Sequence, residues 1–138
     1  MIKHPFLDIE YKPSVRELIG VFDVYDREET LGEELDAYDI NQSADRKGLA
    51  EKYIVGTNDY LSYRHKFILV NALYLALQDR EYDFQALLEH DCESTNRFPD
   101  CWDEMDEPRK FFEDIYEVLS AAWNDELKKA NLEDRAAW

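Results

Sequence analysis

The sequence predicts an all-α fold, a compact single-domain bundle of five to six helices around a buried central helix at about residues 58–79. Apolar residues recur at helical spacing in several segments. The chain has only four glycines and four prolines, whereas β-sandwiches and barrels use more of both in their tight turns. Its apolar content of 45% is sufficient for one core in 138 residues. We therefore expect residues 1–138 to form one helical domain.

The N-terminal part of the chain predicts three short helices. Ser14 and Glu17 have the spacing of a capping box, in which each side chain bonds a free backbone N–H, so the first helix should begin there. Its apolar face follows the helical repeat and comprises Val15, Leu18, Ile19, Phe22 and Tyr25. Thr30 repeats the capping signature and predicts a second, weaker helix. Ser43 predicts a third helix, which Gly56 ends.

The central helix is predicted to begin after Thr57. Its apolar side chains lie on nearly all sides and are Phe67, Ile68, Leu69, Val70, Ala72, Leu73, Leu75, Ala76 and Leu77. A strand at residues 67–70 is the alternative, but strong helix formers follow, so we favour a helix, and its apolar residues on nearly all sides predict a buried central helix. Asn71 interrupts the apolar run, and we expect its side chain to bond a neighbouring helix.

The C-terminal half predicts a shorter helix near residues 82–90, an acidic loop at about 91–107 and a last long helix that Pro108 begins. One face of that last helix carries Phe112, Ile115, Leu119, Ala122 and Trp123. The chain end should fray from about Leu132, although Trp138 is large enough to dock on the core.

Charge is concentrated in two segments. Residues 23–45 carry nine acids and one base, and residues 89–107 carry eight acids and one base. Their net charges of −8 and −7 make up −15 of the −16 of the whole chain. Such a field attracts cationic partners and repels nucleic acids and anionic membranes. We therefore expect a basic protein as the partner, with no direct nucleic-acid binding and no membrane binding.

The predicted interface combines exposed acids from both segments with aromatic side chains from the second. Large aromatic side chains placed among charges are typical anchors of protein interfaces. The predicted partner-binding residues are Glu28, Glu29, Glu33, Glu34, Asp36, Asp39, Phe98, Asp100, Trp102, Asp103, Glu104 and Asp106. In the alternative interpretation the acids form a solvated face that serves solubility, and Phe98 and Trp102 fold back onto the core.

Neither a catalytic nor a metal-binding motif stands out. Four residues match the first ligand positions of an EF-hand loop, namely Asp39, Asn41, Ser43 and Asp45. Ala44 and Ala50 stand where that loop requires glycine and glutamate. Cys92 and Cys101 lack the spacing of a zinc site, and His65, a lone histidine at the edge of a helix, is expected to be structural. We therefore expect no catalytic residue, no metal ion and no cofactor, and do not expect an enzyme.

The expected compartment is the cytoplasm. Residues 1–10 lack the apolar stretch of a secretory signal, and two cysteines do not make the disulfide framework of a secreted protein.

In size and acidity, though in no motif, the chain resembles bacterial immunity proteins. That resemblance implies an inhibitor that occludes the basic active site of a toxin, above all a nuclease. Phage proteins that mimic nucleic acid to block DNA- or RNA-binding defence proteins share this profile and are the nearest variant. The alternative from a different class is a homodimeric helical module for interaction or ligand sensing. The sequence leaves open whether the protein is a monomer or a homodimer, and an enzyme is the third interpretation.

Overall fold

Helices form the framework of the protein in a computed structural model that describes residues 2–25, 27–89, 98–99 and 102–138. Seven α-helices and no strand lie in these ranges, which confirms the all-α fold with slightly more helices than expected. The helices are α1 (Val15–Ile19), α2 (Glu33–Asp36), α3 (Ser43–Leu49), α4 (Tyr63–Gln78), α5 (Phe84–Leu88), α6 (Pro108–Ala122) and α7 (Asn124–Asn131). Two π-helical turns flank them, with Glu28–Gly32 leading into α2 and Ala50–Val55 extending α3.

The predicted start of the first helix at Ser14 and the predicted end of the third helix are confirmed, whereas the predicted side-chain caps are wrong. The side chain of Ser14 caps no backbone N–H, the helical turn before α2 begins at Glu28 rather than Thr30, and Ser43 lies inside α3. Where the predicted caps are not used, water can satisfy the free N–H groups at exposed helix starts. Gly56 ends the extended third helix, where a Cβ atom would lie 2.5 Å from the carbonyl oxygen of residue 52.

Helix α4 is shorter and less enclosed than the predicted central helix. It begins after Ser62, whose hydroxyl accepts a hydrogen bond from the backbone N–H of His65. Its buried residues include Leu69 and Leu73, but Tyr74 and Leu75 are 42% and 59% exposed, so this helix is buried on fewer sides than its apolar run suggests. The reason is that α1, α6 and α7, the helices packed against α4, leave one of its faces uncovered.

Helix α6 is the more enclosed helix. It packs against α3, α4, α5, α7 and the π-helical turn that follows α3. Its buried side chains are Phe111, Phe112, Ile115, Val118 and Leu119. At its N-terminus Arg109 donates hydrogen bonds to the carbonyl oxygens of Leu77 (3.1 Å) and Asp79 (2.9 Å), which joins the start of α6 to the end of α4.

The predicted last helix is interrupted at Trp123. The backbone of this residue has φ −106° and ψ 22°, and its side chain is buried where the chain bends between α6 and α7. The bend lets α7 pack along α4. The predicted docking of Trp138 is confirmed, since its ring lies edge-on to Phe67 with the ring centroids 5.8 Å apart.

Candidate protein-binding groove

The two acidic segments meet at one groove. Its volume is about 300 Å³, and its lining residues are Leu35, Asp36, Tyr38, Asp39, Ile40, Asn41, Trp102 and Glu104. We call it the acidic groove. The side chains of Asp36, Asp39 and Glu104 are exposed at its edges, although Asp39 and Glu104 lie 65 residues apart in the sequence. The fold therefore joins charges that the sequence presents as separate.

Hydrogen bonds of the backbone hold the walls of the acidic groove in place. The N–H of Asp106 donates to Oδ1 of Asn41 at 3.0 Å, which ties the second acidic segment to the connection after α2. Within that connection, Asp39 Oδ1 accepts from the N–H of Asn41 at 3.0 Å, and Asp45 Oδ2 accepts from the N–H of Asp39 at 2.8 Å. Such local Asx bonds fix a turn without regular secondary structure. The carboxylate of Asp39 is thus positioned rather than freely mobile.

The floor of the groove is the aromatic core. Trp102 is only 3% exposed, and its ring lies 5.2 Å from that of Phe22 and 5.6 Å from that of Phe111. Phe98 is half-buried and stacks on Trp102 with an interplanar angle of 3°. The prediction that Trp102 is an exposed interface anchor is therefore wrong. Its large apolar surface is more favourably buried in the core than left in water, as the alternative interpretation expected.

The remaining predicted interface residues are exposed but do not line the groove. They are Glu28, Glu29 and Glu33 around the start of α2, Glu34, and Asp103 and Asp106 beside Trp102. The prediction for Asp100 falls outside the described residues. Glu34 accepts hydrogen bonds from Lys52 (3.5 Å) and from the hydroxyl of Tyr53 (3.4 Å). Its charge is therefore partly used inside the protein.

Most basic residues in the middle of the chain are paired with acids outside the two acidic segments. The ion pairs are Arg46–Asp114 (2.7 Å), Lys47–Glu117 (3.2 Å), Lys52–Glu34 (3.5 Å), Arg64–Glu133 (3.0 Å) and Lys66–Glu126 (2.8 Å). Of these five, only the pair of Lys52 engages an acid of the two segments. Across the described ranges, no ion pair reaches Asp36, Asp39 or Glu104. The described part of the chain therefore does not neutralise the charge of the groove.

His65 has a structural environment. Its Nε2 lies 2.7 Å from the carbonyl oxygen of Lys3, so the proton belongs on Nε2, and Nδ1 accepts from the hydroxyl of Ser62 at 2.6 Å. Its ring also packs edge-on against Tyr11, with the centroids 5.0 Å apart. The side chain fastens the N-terminal segment to the start of α4.

Burial, together with the nearby charge of Glu17, raises the pKa of Tyr11 to about 12.

Within the ranges described above, no group of three or more His, Cys, Asp or Glu side chains is arranged to hold a metal ion. Two members of the calcium-like pattern are engaged elsewhere. Asp45 accepts from the backbone N–H of Asp39, and Ser43 donates to Asp114 at 3.2 Å. Cys92 and Cys101 lie outside the described residues.

Sequence reasoning missed an apolar surface near the N-terminus. Lys3 and Glu10 form an antiparallel bridge, and the turn between them exposes Phe6 (74%), Leu7 and Ile9. The ring of Phe6 lies 5.5 Å from that of Tyr60, which is also exposed. Three apolar residues among four positions, at 6–9, were the signal available in the sequence. An exposed apolar patch of this kind is typical of an interaction surface.

Comparisons with protein-family models, with curated proteins and with solved structures give no match to this chain. None of the helices in the described ranges is both long enough and apolar enough to cross a lipid bilayer.

Proposed function

We propose that the protein is an acidic inhibitor of the immunity type. It binds a basic toxin, most readily a nuclease, and occludes the active site of that toxin with the acidic groove and the acids around it. This chain performs no chemistry in that mechanism and needs no cofactor. The complex would form in the cytoplasm, where a nuclease toxin meets its nucleic-acid substrate.

One observation carries this proposal. Asp36 and Asp39 from one acidic segment and Glu104 from the other lie around a single groove, and no cation of the described chain pairs with them. Like charges that lie close together repel one another, and a cationic group of a bound partner would offset this repulsion. A surface kept acidic for solubility alone does not require the two segments to converge.

The groove also has the form that a basic side chain needs. Its acidic edges surround an apolar floor, to which Leu35, Ile40 and Trp102 contribute. The long alkyl stem of lysine or arginine can lie on such a floor while its charged head reaches the carboxylates. Complementary charges of this kind raise the association rate and the specificity more than the final affinity.

Exclusion of substrate follows from the same geometry. A nuclease holds the phosphates of its substrate with basic side chains, and carboxylates can occupy those positions. The phage-type variant, a nucleic-acid mimic that blocks a DNA- or RNA-binding defence protein, would use the same acids. It differs in its target rather than in its surface.

The test is capture from the native host followed by an activity assay. The tagged protein is exposed to host extract, washed at low salt and at about 0.5 M salt, and the retained proteins are identified by mass spectrometry. We expect one basic protein to be retained in an amount equal to that of the tagged protein, and we expect the high-salt wash to weaken its binding. The retained protein should have nuclease activity, and this chain should inhibit that activity. A retained partner without activity on nucleic acid points to a different target. No basic partner at either salt concentration contradicts the proposal.

A further inference from the structure

A second groove lies between α4, α6 and α7. Its volume is about 330 Å³, and its lining residues are Phe67, Val70, Asn71, Tyr74, Tyr116, Asn124, Leu127, Lys128 and Asn131. We call it the amide groove, because three of these side chains are carboxamides. None of its described lining residues lines the acidic groove.

The polar groups of the amide groove are placed by helical spacing. One face of α7 carries Asn124, Lys128 and Asn131, which are spaced i, i+4 and i+7. Asn124 is the first residue of the helix and Asn131 the last. Asn71 stands on α4, in the middle of an apolar run. The two helices thus place three carboxamides and one ammonium group around one opening.

These polar groups are not used by the fold. The side chains of Asn71, Asn124, Asn131 and Lys128 make no hydrogen bond or ion pair with any described residue. The expected bond from Asn71 to a neighbouring helix is therefore absent, and this half-buried amide lines the groove instead. Their donors and acceptors are open to solvent, since none of them is among the fully buried unpaired polar atoms, and they are therefore accessible to a ligand that enters the groove.

The walls of the groove are aromatic and aliphatic. The rings of Tyr74 and Tyr116 lie 6.0 Å apart, one from each of two neighbouring helices. Phe67 is held in place by Trp138, which packs edge-on against it. Such walls suit a flat aromatic or a branched aliphatic body.

Charge narrows the choice of ligand further. Among the described residues no carboxylate lines the groove and Lys128 is the one lining charge, in a chain whose net charge is −16. The groove is therefore a local exception to the acidity of the protein. A volume of this size lies at the lower end of the range of small-molecule sites, roughly 300–1,000 Å³.

We propose that the amide groove binds a small organic acid with one carboxylate and an aromatic or branched aliphatic body. The body packs against the wall that Tyr74 and Tyr116 form together. Lys128 pairs with the carboxylate, and the asparagine amides donate hydrogen bonds to its oxygens. This site does not depend on the inhibitor function, so either proposal can fail without the other.

The test compares organic acids with their neutral amides by NMR on the full chain. The probes are phenylbutyrate, indole-acetate and 4-methylpentanoate, each paired with its amide and titrated to a few millimolar. We expect at least one acid to shift the side-chain amide signals of Asn71, Asn124 and Asn131. That acid should bind roughly three- to ten-fold more tightly than its amide at low salt, because a charged group strengthens the contact.

Two variants test whether the preference for the acid over its amide depends on Lys128. Lys128→Gln should abolish the preference for the acid. Lys129→Gln should retain it, because the ammonium of Lys129 lies over the ring of Tyr63, 4.3 Å from the centroid, and outside the groove. The proposal is overturned if no probe shifts the three asparagine signals or if acid and amide bind equally. It is also overturned if the signals move with protein concentration alone, since a second copy of the chain would then occupy the groove.

Discussion

The acidic groove and the side of the protein formed by α4, α6 and α7 use the same residue type in opposite ways. On the helical side, the carboxylates of Asp114, Glu126 and Glu133 each pair with a cation from another part of the chain. At the acidic groove, Asp36 and Glu104 face solvent without such a pair to any described residue. The carboxylates of one region connect helices, whereas those of the other region are exposed to solvent.

This contrast shows that net charge does not describe how the charges are used. The pair of Arg46 with Asp114 is almost completely buried, with side-chain exposures of 9% and 13%. Removing a carboxylate there leaves an unpaired buried charge, whereas removing one at the acidic groove relieves repulsion. Neutralising a carboxylate should therefore destabilise the protein in the first region and leave it equally or more stable in the second.

The largest effect is expected at the floor of the acidic groove. Trp102→Ala should lower the free energy of unfolding by about 3–5 kcal/mol, because it leaves a cavity among Phe22, Phe98 and Phe111. Chemical denaturation followed by circular dichroism measures this loss. A loss below about 1 kcal/mol would mean that Trp102 is not part of the core.

The buried ion pair gives the next effect. Asp114→Ala should cost about 3–5 kcal/mol, because Arg46 keeps its charge in a buried position and Ser43 loses an acceptor. The matched control is Lys47→Ala, which breaks a more exposed pair with Glu117 and should cost less than about 1 kcal/mol. Equal losses in the two variants, measured by the same denaturation experiment, would argue against a special role for the buried pair.

Neutralisation of the acidic groove should act in the other direction. The variant Asp36→Asn, Asp39→Asn and Glu104→Gln should keep the melting temperature or raise it by about 1–3 °C at low salt. Added salt should stabilise the wild-type protein more than this variant, because salt screens the repulsion among the groove acids of the wild type and the variant lacks those charges. Calorimetry at two salt concentrations measures both quantities. A clear drop in melting temperature would show that these acids hold the fold together.

The smallest effect is expected for the pH dependence of the stabilisation that Glu133 contributes near the end of the chain. The guanidinium of Arg64 and the hydroxyl of Tyr63 bond Glu133 and lower the pKa of its carboxyl below the ordinary value of 4.5. The stabilisation is thus fully present above pH 4.5 and is lost as the pH falls through the lower, folded-state pKa.

Glu133→Gln should therefore lower the melting temperature slightly at neutral pH, and the difference from wild type should shrink below pH 4.5. Asp134→Asn is the neighbouring control, because the carboxylate of Asp134 forms no ion pair in the described part of the chain. A difference for Glu133→Gln that does not change with pH would contradict the assignment.

Helical periodicity predicted the fold well, because it reports directly on which face of a helix is buried. Val15, Leu18 and Ile19 are buried as expected, and so are Ile115 and Leu119. Periodicity did not predict the bend at Trp123, because Trp123 continues the apolar face of α6 while the backbone turns. The exposure of Leu75 was missed for a related reason, since an apolar run does not tell which of its faces the other helices cover.

The acidic character of the candidate site could be predicted from composition, but its arrangement could not. The convergence of Asp39 and Glu104 depends on tertiary contacts such as the bond from Asp106 to Asn41, which span more than sixty residues. The role of Trp102 was left open because an aromatic residue among acids suits an interface and a core equally well. The amide groove was missed because Asn71 and the stripe on α7 are joined only by packing of the two helices.

The most direct test of the acidic groove is the association rate constant for the captured basic protein, measured for three forms of this chain. The groove variant neutralises Asp36, Asp39 and Glu104, and the control variant carries Asp59→Asn, Glu81→Gln and Glu113→Gln, three exposed acids outside the groove. Both variants change the net charge equally. We predict that the groove variant associates about ten-fold more slowly at low salt, that the control changes less than about two-fold, and that the difference vanishes at about 0.5 M salt. Equal slowing of the two variants would contradict a role for the groove itself and would leave only the overall charge.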